Sequence, residues 1–142
     1  MPDTRPERPV FTNIHITDLR SYRLPPAGIV SILHRISGFI LALTLPYVIY
    51  LFDRSLTSET SFDEFRSVFL SGLGPFPAAL VKLGTLVIVW GFLQHLFAGL
   101  RHLYMDITHE HSKEFGRTSA LVAIALTLVF TLLLGAKLFG LY

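Results

Sequence analysis

His95–Asp106 reads HLFAGLRHLYMD. The stretch lies inside a long apolar segment and places two histidines, an arginine and an aspartate at membrane depth. An ionisable side chain in hydrocarbon costs at least a few kcal/mol, so each such residue needs a partner or a purpose. As an α-helix the run turns about 100° per residue. His95, Gly99, His102 and Asp106 then share one narrow stripe, and Arg101 points well away from it.

The rest of the chain explains why this segment is a membrane segment. Of 142 residues, 51% are hydrophobic and 15% charged, too little polar surface for a soluble domain of this size. Three long apolar segments are predicted as transmembrane helices, at about 26–52, 78–107 and 118–141. The expected fold is an all-α membrane protein of three transmembrane helices, taking part in a heteromeric bundle. Residues 1–25 are expected to form an N-terminal cytoplasmic segment, and 26–142 the membrane domain. The net charge of +2 is small and scattered, which argues against nucleic acid as a partner. No cysteine is present, so disulfides, thiolate metal sites and cysteine-ligated clusters are excluded in this chain. A redox role would require a cofactor held by nitrogen or oxygen.

The N-terminal stretch is polar and proline-broken and lacks an apolar core, unlike a secretory signal; its early acids argue against a transit peptide. Pro25 and Pro26 suit a helix start, and Pro46 is expected to kink the first span. Tyr47, Tyr50 and Phe52 fit an aromatic belt at the far interface. Between the first two spans, Phe62, Phe65, Val68 and Phe69 have helical spacing, as for a short helix on the membrane surface. Residues 108–117 are expected to be a polar loop. Arg5, Arg8, Arg20, Arg23, Lys113 and Arg117 fall on one side, and Arg54, Arg66, Lys82 and Lys137 on the other. This bias favours a cytoplasmic N-terminus and a periplasmic C-terminus.

Depth brings two sets of polar residues together. Counted at about 1.5 Å per residue from Pro26 and Ile107, Ser31 and His102 each lie roughly 8 Å inside, and Arg35 roughly 14 Å. His34 and Asp106 join them in the cytoplasmic third. His95, roughly 18 Å inside, is expected to sit alone near the midplane. Ser31 and Arg35 share a helix face that Gly38 continues. A hydroxyl and a guanidinium together can hold a carbonyl oxygen and an anion. Gly38 and Gly99 remove side chains where a cofactor or a second backbone must approach closely. The His95 stripe suits a flat, charged ligand such as a haem.

HLFAGLRHLYMD and, in the first span, SILHRISG (Ser31–Gly38) resemble the paired signatures of the cytochrome b subunit, the larger membrane anchor, of succinate dehydrogenase (complex II). Arg8-Pro9, the three-helix layout and the overall length match as well. The resemblance implies that His95 is the axial ligand of a haem b shared with the smaller anchor subunit. It implies that Ser31 and Arg35 bind ubiquinone, and that His34, Arg35 and His102 lie against the haem propionates. Gly38, Gly99 and Asp106 would support the site. The implied partners are a flavoprotein subunit, an iron–sulfur subunit, the smaller anchor and membrane lipid, in a bacterial inner membrane. Oxidation of succinate would occur on the other subunits, with electrons passed from the iron–sulfur subunit to the quinone.

Plainer readings stand beside these. Histidines in a membrane helix also bond neighbouring helices. Arg101 is expected to snorkel toward headgroups, and the plainer reading of Asp106 is a partner for a basic residue at the helix end. The plainer reading of Ser31 is a bond back to its own helix. His109 and His111 read as solvated loop residues, and Trp90 as packing. A haem-free proton-conducting subunit and a purely structural anchor are the alternative functions.

Overall fold

A computed structural model describes Thr17 and residues 22–142. Most of the expected N-terminal segment, with Arg5, Arg8, Arg20 and the Arg8-Pro9 pair, lies outside the described residues. Four helices form among the described residues: α1 (Pro26–Leu56), α2 (Glu59–Leu70), α3 (Ala78–Thr108) and α4 (Lys113–Leu138).

Pro25 is the N-cap of α1, and Pro26 occupies its first turn, where a missing N–H costs nothing. Pro46 withdraws the donor that would reach the Ala42 carbonyl, yet α1 runs on beyond it. It also continues past Phe52, where the apolar run stops, to Leu56. There the Thr57 N–H bonds the Asp53 carbonyl at 3.1 Å. Ser58 and Ser61 form a reciprocal capping box that starts α2 at once. An Arg54–Glu64 contact of 3.3 Å ties the end of α1 to α2. The spacing of Phe62, Phe65, Val68 and Phe69 is realised in α2, with Phe65 and Phe69 edge-on at 5.2 Å.

Gly72 makes the return turn. Its φ is +104°, and a Cβ there would lie 2.2 Å from the Phe76 carbonyl oxygen, so only glycine fits. α3 ends at His109, which adopts a left-handed conformation with φ 52°. α4 begins at Lys113 rather than near 118, and ends at Leu138 rather than 141. The polar loop is correspondingly shorter than 108–117. The Ser112 hydroxyl accepts from the Phe115 N–H, and Glu114 sits in the positive first turn. Hydropathy reads these charged residues as loop, whereas the cap makes them helix.

α1, α3 and α4 are each long and apolar enough to cross a membrane. α3 packs against both α1 and α4, which also meet each other, and α2 leans on α1 and α3. The chain is therefore an all-α, multi-pass membrane protein. Small residues set the helix spacing: Val30, Ala98 and Ala120 meet where the three spans converge. Polar side chains also reach the centre, since Ser37, Gln94 and Thr127 are fully buried. Large apolar side chains such as Phe39, Leu43 and Leu132 face outward, as lipid or a partner helix requires.

Candidate functional site

The polar residues of α1 and α3 meet in the seam between the two helices. His34 of α1 and His95 of α3 stack, with ring centres 4.2 Å apart and planes 14° from parallel. His102, two turns along α3 from His95, lies 5.3 Å from His34 in a tilted arrangement. His95 is therefore not alone at its depth. The count from the helix ends sets the two histidines about one turn apart, and two rings leaning into one seam close that gap.

A backbone group fixes the orientation of His95. Its Nδ1 lies 3.2 Å from the carbonyl oxygen of His34. A carbonyl can only accept, so Nδ1 carries the proton in this bond, and in the neutral ring Nε2 keeps its lone pair. The Ser37 hydroxyl donates to the same carbonyl at 2.9 Å. Its oxygen then faces His95 Nδ1 at 3.5 Å. Ser37 thus completes a polar clasp around the inner edge of the imidazole.

Glycines opposite the two rings make room for them. A Cβ at Gly38 would lie 3.1 Å from His95 Cε1. A Cβ at Gly99 would lie 3.6 Å from His34 Nε2. Each helix therefore has a glycine facing the other's histidine. The expected close approach is thus between backbone and ring, not between two backbones.

Other candidates fall outside the seam. Arg35 is exposed and Ser31 half-buried. Among the described residues neither makes a hydrogen bond or ion pair, so Ser31 does not bond back to its helix. One residue of helix turns Arg35 about 100° from His34, so it faces outward while His34 faces the seam. Asp106 is exposed, with no basic partner among the described residues. It shares the stripe of His95 but is not drawn into the histidine cluster.

Arg101 does not snorkel. It is 9% exposed. Its Nε donates to the Ser119 hydroxyl at 2.9 Å, and its Nη2 to the Gly116 carbonyl at 3.2 Å. Pointing away from the His95 stripe, as the spacing expects, takes it into α4 and not to the headgroups. Sequence reasoning passed over Ser37 and Gln94. Ser37 was signalled by its place one turn after His34, and Gln94 by being an amide in an apolar helix.

Among the described residues, no three histidine, aspartate or glutamate side chains are grouped to hold a metal ion. What the cluster offers is one imidazole with a fixed tautomer, two neighbouring imidazoles, and an outward hydroxyl and guanidinium.

Residues 4–134 match the family described as succinate dehydrogenase/fumarate reductase transmembrane subunit. The chain is 36% identical over 118 residues to the succinate dehydrogenase cytochrome b556 subunit of Coxiella burnetii, covering 83% of this chain and 90% of that one. It is 32% identical over 115 residues to the cytochrome b556 subunit of Paracoccus denitrificans, covering 81% and 83%. It is 30% identical over 126 residues to the cytochrome b560 subunit of Reclinomonas americana, covering 89% and 83%.

Proposed function

The chain belongs to the succinate dehydrogenase/fumarate reductase transmembrane subunit family, and on that premise we propose that it holds a haem b and helps form the site where ubiquinone is reduced. The single observation that carries this reading is the bond from His95 Nδ1 to the His34 carbonyl. A backbone acceptor on one ring nitrogen is the usual means of presenting the other to a metal. The donor set also fits in number. His95 would hold the iron of a haem b through its free ring nitrogen, with a second histidine from the smaller anchor subunit as the other ligand.

The remaining residues suit the rest of the group. Propionates are anions and need cationic or donor partners where water is scarce. His34, His102 and Arg35 supply them, and Gly38 and Gly99 leave the space in which the rings sit. When bound, the haem supplies a one-electron redox centre near the quinone.

Ser31 and Arg35 form the quinone contact. They lie one turn apart on α1, with no partner of their own among the described residues. The Ser31 hydroxyl donates to a quinone carbonyl oxygen. The Arg35 guanidinium favours the negative charge that builds on the ring as electrons arrive. Two electrons and two protons convert the quinone to the quinol. The electrons come from the iron–sulfur subunit, the protons from the cytoplasmic side, and succinate is oxidised on the flavoprotein subunit. The N-terminus lies in the cytoplasm and the C-terminus in the periplasm of a bacterial inner membrane.

A reduced-minus-oxidised difference spectrum of the purified complex tests the reading. A sharp α-band of a six-coordinate b-type haem is expected. A featureless visible spectrum from a complex that contains this chain would leave a haem-free proton conductor or a structural anchor.

A further inference from the structure

Among the described residues, no negative charge neutralises Arg101. Arginine keeps its proton in any protein environment. Both of its bonds go to uncharged acceptors, the Ser119 hydroxyl and the Gly116 carbonyl. Among the described residues no carboxylate pairs with it. Glu114 belongs to the first turn of α4 and Asp106 is exposed, and neither bonds it. The adjoining α3–α4 groove is lined by Phe97, Leu100, Tyr104, Phe115, Val122 and Leu126, so little dielectric screening is available on that side. The N-terminal end of α4 is itself positive and adds to the field.

We propose that Arg101 is a positioning charge. Fixed between α3 and α4, it makes electron acceptance more favourable at the redox group held by His95, without touching that group. The inference rests on the haem reading above. His95 and Arg101 are six residues apart on one helix, about 9 Å along the axis, with the apolar bundle between them. A unit charge at that range, at an effective dielectric of about 20, shifts a reduction equilibrium by about twentyfold. A positive charge stabilises the form that has gained the electron, so it raises the midpoint potential.

The test is a redox titration of the haem α-band in the assembled complex. Haem content and dye-coupled succinate oxidation are measured alongside as checks on assembly. Arg101→Gln should lower the midpoint, and Arg101→Lys, which keeps the charge, should restore most of the loss. Ser119→Asp keeps the arginine and places a carboxylate against it. It should lower the midpoint in the same direction, and it decides the matter if Arg101→Gln fails to assemble. An unchanged midpoint in Ser119→Asp at normal haem content would overturn the proposal. So would equal drops in Arg101→Gln and Arg101→Lys, because geometry rather than charge would then be responsible. Absence of the α-band from the unsubstituted complex would remove the haem reading and this inference with it. A normal band indifferent to all three substitutions would remove this inference alone.

Discussion

Gly38 and His95 are matched across the α1–α3 seam: a Cβ on residue 38 would stand 3.1 Å from His95 Cε1. That is closer than carbon atoms ordinarily pack, so the imidazole position depends on the missing side chain. Gly38→Ala should push the ring by a few tenths of an ångström, and Gly38→Val should expel it from its clasp. Overpacking of this kind costs about 1–3 kcal/mol. The expected outcome is a graded fall in haem per assembled complex from glycine to alanine to valine, read by haem extraction. Gly99→Ala, whose Cβ would lie 3.6 Å from His34 Nε2, should be close to neutral in the same assay.

Ser31 and Arg35 are predicted to act on quinone reduction and not on succinate oxidation. Ser31→Ala and Arg35→Ala should each slow quinone reduction by about ten- to hundredfold, the loss expected for one hydrogen bond involving a charged or developing-charge partner. Succinate oxidation coupled to an artificial dye should be unaffected. A parallel fall in both activities at normal assembly would contradict the assignment.

The α3–α4 junction is predicted to depend on Ser119. Removing the acceptor for Arg101 Nε, 2.9 Å away, leaves part of a buried guanidinium unsatisfied and costs about 1.5–3 kcal/mol. Ser119→Ala should lower the thermal unfolding midpoint of the complex, whereas Ser119→Thr, which retains a hydroxyl, should not.

The short loop between α3 and α4 has a pH dependence of definite sign. The Ser112 side chain and backbone N–H hold the Glu110 carboxyl below its ordinary value of 4.5. The folded pKa is depressed, so the stabilisation is present above the ordinary value and is lost as pH falls through the lowered one. Amide-exchange protection, corrected for the intrinsic rate, should therefore fall at Ser112 and in the first turn of α4 on acidification below about pH 4.5. Glu110→Gln should flatten that dependence. An unaltered profile in the variant would show that another group governs this helix start.

Much of this arrangement was legible before any coordinates. The three spans follow from apolar runs too long for anything else. The helical stripe places His95, Gly99 and His102 on one face of α3, and in the structure each of the three lies beside α1. Other features depend on facts that periodicity does not carry. The start of α4 escapes a hydropathy count, because Lys113, Glu114 and Arg117 look like loop, while the Ser112 cap folds them into helix. The spacing shows the rotation of Arg101 off the stripe but not the position of α4, so it points to the headgroups and not to Ser119. A count of rise per residue sets His95 apart from His34 because it ignores how far a ring reaches across a seam. The clasp by Ser37 needs the pairing of two helices whose facing residues are 58 positions apart, and a single sequence does not print that pairing.

The haem-to-polypeptide ratio of the assembled complex, measured for single histidine changes, decides whether His95 holds the iron. His95→Ala should reduce bound haem to background while the flavoprotein and iron–sulfur subunits remain attached, and His102→Ala should keep most of it with a perturbed spectrum. A His95→Ala complex with its full complement of haem and an unchanged α-band would contradict the claim that this imidazole holds the iron.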